Sequence, residues 1–303
     1  MRFASGAGGL RATDLPARAV ARGEDEYPAS LEHLPDPPER LWVAGRELVG
    51  LPPGVAIVGA RSPTRYGEEI ATGLAADLAR AGLAVVSGLA RGIDTCAHEG
   101  AIENGVTVAV LPGGIDRCYP ASNKLLYERI AERGALVAEV PPGTPTHKHR
   151  FTHRNRIIAA LALAVIVVQA AEKSGALSTA RQALEIGREV FAVPGDVRLD
   201  VSAGVHELLR DGAAVCASAG DVLDRIAPEM ARSAAVTTFV PIPHGMPEPE
   251  RAILEALGGE SMSIDELAVR VLVAGSPLLI AISRLELDGW VGRGPGGRIY
   301  RSR

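Results

Sequence analysis

The sequence predicts an α/β protein, with an open and mostly parallel sheet covered by helices and a smaller helical unit after it. Three observations carry this. From residue 55 onward, short β-branched runs alternate with amphipathic stretches of helical period. The runs are apolar throughout rather than alternating, as strands buried on both faces are. Aromatic residues make up only 4% of a chain that is 47% hydrophobic, so the core must come from Ala, Val, Leu and Ile. Such small side chains let helices sit close on a sheet.

Residues 1–54 read as an N-terminal extension, rich in Pro, Gly and charge, with Pro35, Pro37, Pro38, Pro52 and Pro53 breaking any long element. Trp42 and Val43 suggest one short strand there. The sheet domain spans 55–226, with strands predicted at 55–58, 84–86, 106–111, 135–138, 164–168, 190–193 and 213–215. Gly82, Gly105, Gly134, Gly187 and Gly212 each follow a helical run, where a left-handed residue ends a helix. Strand–helix alternation of this length implies right-handed crossovers and ligands bound outside the carboxyl ends of the strands.

Residues 227–247 read as a linker, with Pro241, Pro243 and Pro247 among Ser and Thr. The second unit, 248–303, opens with a short helix at 251–257. Ser263 and Glu266 form a capping box for the next helix, and Ser276-Pro277 starts a third. A glycine-rich hairpin follows from Trp290 to Arg301. Three helices and a hairpin make the winged-helix pattern.

The totals restrict function. A net charge of −4 argues against a surface that is basic all over, while leaving room for a local groove. The three cysteines, Cys96, Cys118 and Cys216, form no CxxC pair and suit a reducing compartment. Residues 1–15 hold no apolar run like a signal peptide. The longest apolar stretch, 157–168, falls short of the ~20 residues that span a bilayer. The expectation is a cytoplasmic protein without membrane contact.

The chemistry concentrates at the predicted strand ends. The first strand runs into Gly59-Ala60-Arg61, where a dinucleotide fold would carry GxGxxG. An arginine there can grip a phosphate bidentately, though a surface arginine after a turn fits the segment equally well. After the second strand, Ser87 to Asp94 offers two glycines and Arg91, with Asp94 or Thr95 as a helix cap. Asp94 and His98 stand four apart on one helix face, and a capping acid beside a structural histidine is favoured over a catalytic pair. The third strand ends at Pro112-Gly113-Gly114, an anion-receiving turn. It resembles the Pro-Gly-Gly turn of phosphoribohydrolases without completing their signature.

The most informative segment is 146–158, with His147, Lys148, His149, Arg150, Phe151, His153, Arg154, Asn155 and Arg156. No acid occurs between Glu139 and Glu172. Cations around one aromatic ring are what a single strand needs: charge for phosphates and a face for a base. The run leads directly into apolar 157–168, so it reads as a basic loop anchored to the core. Further on, Lys173-Ser174-Gly175 opens a helix whose N-terminus presents free amides. The three histidines lack a nearby carboxylate or cysteine to complete a metal site. Neither HExxH nor GxSxG occurs, so no metal, cofactor or catalytic residue is expected.

In this order, these segments resemble the DNA-processing protein A family, also called DprA or Smf. The likeness runs from about Tyr27 to Leu223. It takes in Gly59-Ala60-Arg61, Ser87 to Asp94, Leu111 to Gly114, Tyr119-Pro120, Arg154-Asn155-Arg156-Ile157-Ile158, Ser174-Gly175-Ala176, Thr179-Ala180 and Pro194-Gly195. The resemblance implies an extended Rossmann-like domain that binds single-stranded DNA and forms a homodimer, with a winged-helix domain at the C-terminus. It further implies a non-enzymatic protein that protects incoming DNA in natural transformation and loads the recombinase RecA. Family motifs fall on Gly59, Ala60 and Arg61, and on Lys148 with Phe151, whose ring would stack on a base. The DNA-binding set then comprises these five with Arg91, Gly113, Arg154, Asn155, Arg156, Lys173, Ser174 and Gly175.

The chain departs from the pattern at Gln169, where Glu is usual, at Ala160 and Ala162, and at His206, where Asn is common. Residues 1–23 are too few for the N-terminal helical domain of many relatives. Two other readings stand beside this one. An enzyme acting on nucleotides would need Asp94 and Glu139 as its acid and base. A winged helix reading duplex DNA would have Arg284 as the sole cation of its third helix, with Arg293, Arg298, Arg301 and Arg303 in the wing; a protein-contact role suits it better.

Overall fold

The structure is a computed structural model that describes residues 16–228, 242–243, 245–257, 261–294 and 297–301. It divides into two compact units, Met1–Ala231 and Arg232–Arg303. The linker expected at 227–247 lies mostly outside the described residues.

In the first unit the chain forms β1 (Arg18–Ala21), β2 (Arg40–Gly45), β3 (Gly54–Val58), α1 (Arg65–Arg80), β4 (Ala84–Ser87), α2 (Ile93–Ile102) and β5 (Thr107–Leu111). It continues with α3 (Lys124–Arg133), β6 (Ala135–Ala138), α4 (Lys148–Ala160), β7 (Ala164–Val167) and α5 (Gly175–Glu185). The unit closes with β8 (Glu189–Ala192), α6 (Ala203–Arg210), β9 (Ala214–Val215) and α7 (Ala219–Ile226). Among the described residues its strands form one sheet in the order β1-β2-β6-β5-β4-β3-β7-β8-β9. From β6 to β9 every pairing is parallel. The fold is an extended Rossmann-like α/β sheet.

Strands β4 to β7 are buried at every position, which is why each reads as an unbroken apolar run. One apolar cluster joins Val58, Val86, Val110 and Val167 to Ile157, Ile158 and Leu177; a second joins Leu111 and Leu136 to Tyr127 and Ile130. The sheet turns over between β3 and β7: β4 lies on one side of β3, and the chain returns to β7 on the other.

Two expectations change here. The stretch 1–54 is no extension apart from the sheet, because β1 pairs antiparallel with β2 and β2 pairs antiparallel with β6. Leu31, Leu41 and Val43 are buried beneath it, and the Tyr27 hydroxyl donates to the Pro38 carbonyl at 2.7 Å. Its prolines stand between strands rather than within them, as ladder hydrogen bonding requires. The segment 146–158, read as a basic loop, is mostly the helix α4. Helix ends also differ from the reading. Gly82, Gly187 and Gly212 have φ of +92°, +71° and +99°, as expected of helix stops, whereas Gly105 and Gly134 do not. Gly134 serves close approach instead, since a Cβ there would strike the Thr107 carbonyl.

The second unit holds α8 (Glu250–Leu257), α9 (Ile264–Val271), α10 (Ser276–Leu287) and the antiparallel pair β10 (Val291–Arg293) and β11 (Ile299–Arg301). Leu254, Leu267, Ile282, Leu285 and Ile299 are fully or almost fully buried in its own core. The Ser263–Glu266 capping box forms in both directions. Helix α10 is capped by Gly275 rather than Ser276, with Pro277 in its first turn. This is a winged-helix domain. Among the described residues no single helix is long and apolar enough to cross a membrane.

Candidate nucleic-acid interface

The carboxyl ends of β3 to β7 open onto one cleft of about 680 Å³. It lies where the strand order reverses between β3 and β7, the place where open α/β sheets receive ligands. After β3 come Gly59 and Arg61; after β4, Ala90 and Asp94; after β5, Tyr119; after β6, Thr146. One side is formed by α4, which presents Lys148, Phe151, Arg154, Asn155 and Ile158, spaced to share a helix face. Lys173, Ser174, Gly175 and Thr179, at the start of α5, close the rim.

Helix α5 starts at the cleft because Ser174 caps it, its hydroxyl accepting from the Ala176 amide at 3.3 Å. The positive end of the helix therefore meets the cleft and favours an anion. Asn155 Nδ2 donates to the Gly175 carbonyl at 3.3 Å, tying α4 to that helix start.

The cations divide into two groups. Arg61, Lys148 and Lys173 are exposed on the rim, and among the described residues none of them is in an ion pair. The Arg61 guanidinium lies over the Phe151 ring, 4.9 Å from its centroid. Tyr119 meets the same ring edge-on, with centroids 5.5 Å apart and planes at 69°. Cation and edge contacts of this kind are each worth ~0.5–1 kcal/mol, enough to hold a half-exposed ring in one orientation.

Arg154 belongs to the second group. It is buried, and its Nη1 donates to the Gly88 carbonyl at 2.8 Å and to the Val110 carbonyl. Burial pulls its pKa down to about 10, against the opposing charge of Asp94. Burial also pushes Asp94 up, countered by Arg154 and by the Gly88 and Ala90 amides that its carboxylate accepts at 3.2 and 3.3 Å. Asp94 is thus no N-cap; Gly92 holds that position, and Thr95 donates to the Ala90 carbonyl. Between them Leu89 sits at φ +56°, a left-handed conformation costly for leucine. Asn123 Nδ2 holds its carbonyl at 3.0 Å. Arg154, Asp94 and Asn123 form a buried frame that fixes the β4–α2 loop under the cleft.

Arg156 leaves the site altogether. Two residues along a helix is a rotation of about 200° from Arg154, and Arg156 faces the other way. It pairs with Glu139 and lies 3.4 Å from Asp36. These acids come from β6's exit and the N-terminal stretch, which explains why no sequence neighbour revealed them. Ala60, Arg91 and Gly113 do not line the cleft either. Ala60 accepts from the Ile93 amide at 3.1 Å, Arg91 is exposed on its loop, and Gly113 makes room for Thr146. Tyr119, Thr146 and Thr179 were missed. Tyr119 was detectable as an exposed aromatic on a strand-end loop, beside Pro120 in a quoted motif.

The other candidates resolve into structure. His98 is buried, and its Nδ1 donates to Thr107 Oγ1 at 2.7 Å, because that hydroxyl's own proton goes to the Val85 carbonyl. Burial drives its pKa down to about 3. The His147 and His149 rings stack at 5.8 Å, while His153 turns to Glu139 at 3.3 Å. Among the described residues no three potential ligands cluster. Gln169 shows why an amide stands there: Oε1 accepts from the Thr64 amide at 2.9 Å and Nε2 donates to Thr64 Oγ1 at 2.8 Å. Ala160 and Ala162 are core residues, and His206 Nε2 donates to the Gly195 carbonyl at 3.0 Å. In the winged-helix unit Arg284 pairs with Glu250, Arg293 with Glu286 and Arg298 with Glu266, so these cations are already engaged.

The profile of the DNA recombination-mediator protein A family matches residues 18–227, and that of the DprA winged helix domain matches 239–297. A Mycobacterium tuberculosis protein carrying the DprA name is 42% identical over 259 residues, which is 82% of this chain and 65% of the relative. The chain therefore spans just under two thirds of that relative's length. The crystal structure of Streptococcus pneumoniae DNA processing protein A superposes with a TM-score of 0.67 at 38% identity, over 70% of this chain and 75% of that one. The Helicobacter pylori DNA processing protein A, which binds single-stranded DNA, gives a TM-score of 0.66 at 31% identity, over 72% and 98%.

Proposed function

This chain belongs to the DNA recombination-mediator protein A family, and on that premise we propose that it binds single-stranded DNA in the switch-point cleft without catalytic turnover. In this reading it works in the cytoplasm as a homodimer, protects incoming strands during natural transformation and passes them to RecA. The dimer, the RecA contact and the transformation role rest on the family resemblance. The cleft rests on physical grounds.

The observation that carries it is a set of three cations, Arg61, Lys148 and Lys173, that have no acid partner among the described residues and surround a single aromatic ring. Arg61 covers one side of Phe151, so a base stacks from the open side while Arg61 and Lys148 take the flanking phosphates. Lys173 and the start of α5 receive the next phosphate. The enzyme alternative is weakened by its own candidates. Asp94 is committed to loop amides, and Glu139 is committed to Arg156 and His153 outside the cleft.

Fluorescence anisotropy with single- and double-stranded oligonucleotides across a salt series tests this. Loss of the ring costs ~1–3 kcal/mol. Loss of one phosphate contact lowers the salt slope by about 0.7. Lys148→Ala with Phe151→Ala should therefore bind single strands at least tenfold more weakly, with unfolding unchanged. Undiminished affinity in that double variant overturns the placement.

A further inference from the structure

We propose that a strand leaving the cleft crosses Thr152 and continues into a second depression between α4 and α5, where Arg150 and His149 hold its next phosphates. This rests on the reading of the main cleft as a single-strand site. The depression, about 570 Å³, is lined by His149, Arg150, Thr152, His153 and Gln182. Thr152 lines both it and the main cleft, so the two adjoin at one residue of α4. At about 100° per residue, α4 turns Lys148 toward the cleft and its successors toward the depression.

The polar groups there are not used up among the described residues. Arg150 makes no side-chain hydrogen bond or ion pair with any described residue, and its Nε is buried without a partner. Gln182 Nε2 donates to the Thr152 carbonyl at 3.4 Å, which sets the amide's orientation and leaves Oε1 buried and unpartnered. One donor and one acceptor thus stand unsatisfied beside the same depression. Unmet groups of this kind cost stability unless something completes them. Once these side chains turn outward, a nucleotide supplies both complements, phosphate oxygens for the guanidinium and a base N–H for the amide oxygen. His153 is already spent on Glu139, so Arg150 is the cation this path offers, with a ring N–H of His149 as a second donor. The rim beyond Tyr119 offers less. There Arg117 donates to the Gly143 carbonyl, and Asp116 accepts from the Gly143 amide and would repel a phosphate.

Oligonucleotide length separates the two sites. Anisotropy is measured on the full chain with oligo-dC of about five and about twenty nucleotides, lengths that bracket one groove and a longer path. The variant is Arg150→Gln with His149→Gln; Gln182→Leu is a second, uncharged change. The expected result is unchanged affinity for the short strand and a five- to tenfold loss for the long one, the salt slope falling by about 0.7 per lost phosphate contact. Gln182→Leu should show the same split, more weakly. Wild-type affinity for the long strand overturns the path, and so does an equal loss at both lengths, which marks a general field effect. Lys148→Ala with Phe151→Ala weakens both lengths. If that variant leaves the short strand untouched, the main cleft fails instead.

Discussion

Arg154→Met separates a frame residue from a DNA contact. Arg154 lies in the cleft wall and in the Arg-Asn-Arg motif, so a phosphate role is the reading its sequence invites. Its guanidinium is instead occupied from below, by the Gly88 and Val110 carbonyls and the field of Asp94. Methionine fills much of the same volume but strips both carbonyls of a donor and leaves Asp94 buried without an opposing charge. Leaving a buried charge uncompensated costs about 3–5 kcal/mol, and the lost hydrogen bonds are part of that figure rather than additional to it. At about 2–4 °C per kcal/mol for a domain of this size, Tm should drop by roughly 6–20 °C. Asp94→Asn in the same chain removes the stranded charge and should recover part of the loss. The assay is urea and thermal unfolding followed by circular dichroism, with single-strand affinity measured well below Tm. A variant with wild-type stability and a tenfold weaker hold on DNA would refute the frame and return Arg154 to the contact surface.

Two further outcomes follow from buried groups. His98 has its pKa depressed to about 3 from 6.5, so the unfolded chain takes up a proton that the folded one refuses. Its contribution is intact at neutral pH and is lost as pH falls from 6.5 toward 3, at about 1.4 kcal/mol per unit. Between pH 7.5 and 5 the wild type should lose about 2 kcal/mol more than His98→Gln in urea titrations; parallel curves contradict this. At Gly134, alanine would drive a Cβ into the Thr107 carbonyl, where β5 and β6 meet. Backbone cannot yield cheaply there, so Gly134→Ala should cost ~1–3 kcal/mol of unfolding free energy. Gly187→Ala, with open space but φ of +71°, should cost less, and the reverse order would show that the close approach does not govern.

Much of the site was legible because its position follows from strand order. Gly59, Arg61, Lys173 and Ser174 each stand beyond a predicted strand or at a helix start, Lys148 and Phe151 stand in the basic segment between two predicted strands, and parallel topology collects such places on one edge. What could not be read was direction around a helix taken for a loop. With α4 unrecognised, Lys148, Arg154 and Arg156 looked equivalent, although one faces the cleft, one supports its floor and one turns to Glu139 and Asp36. The edge strand β1, and the extent of β2 beyond Trp42 and Val43, were obscured for a related reason. They are short and flanked by prolines, and they acquire strand character by pairing with each other and with β6.

Most of the element pattern, the parallel sheet, the winged-helix unit and the edge on which the chemistry gathers are written in the order of the residues. All of these are set by local periodicity and by which residues must leave water. Which cations remain free is settled by the folded arrangement. Charge neutralisation depends on groups that the fold brings in from far along the chain, Asp94 beneath Arg154 and Asp36 and Glu139 against Arg156, while Arg61, Lys148 and Lys173 are left to face solvent.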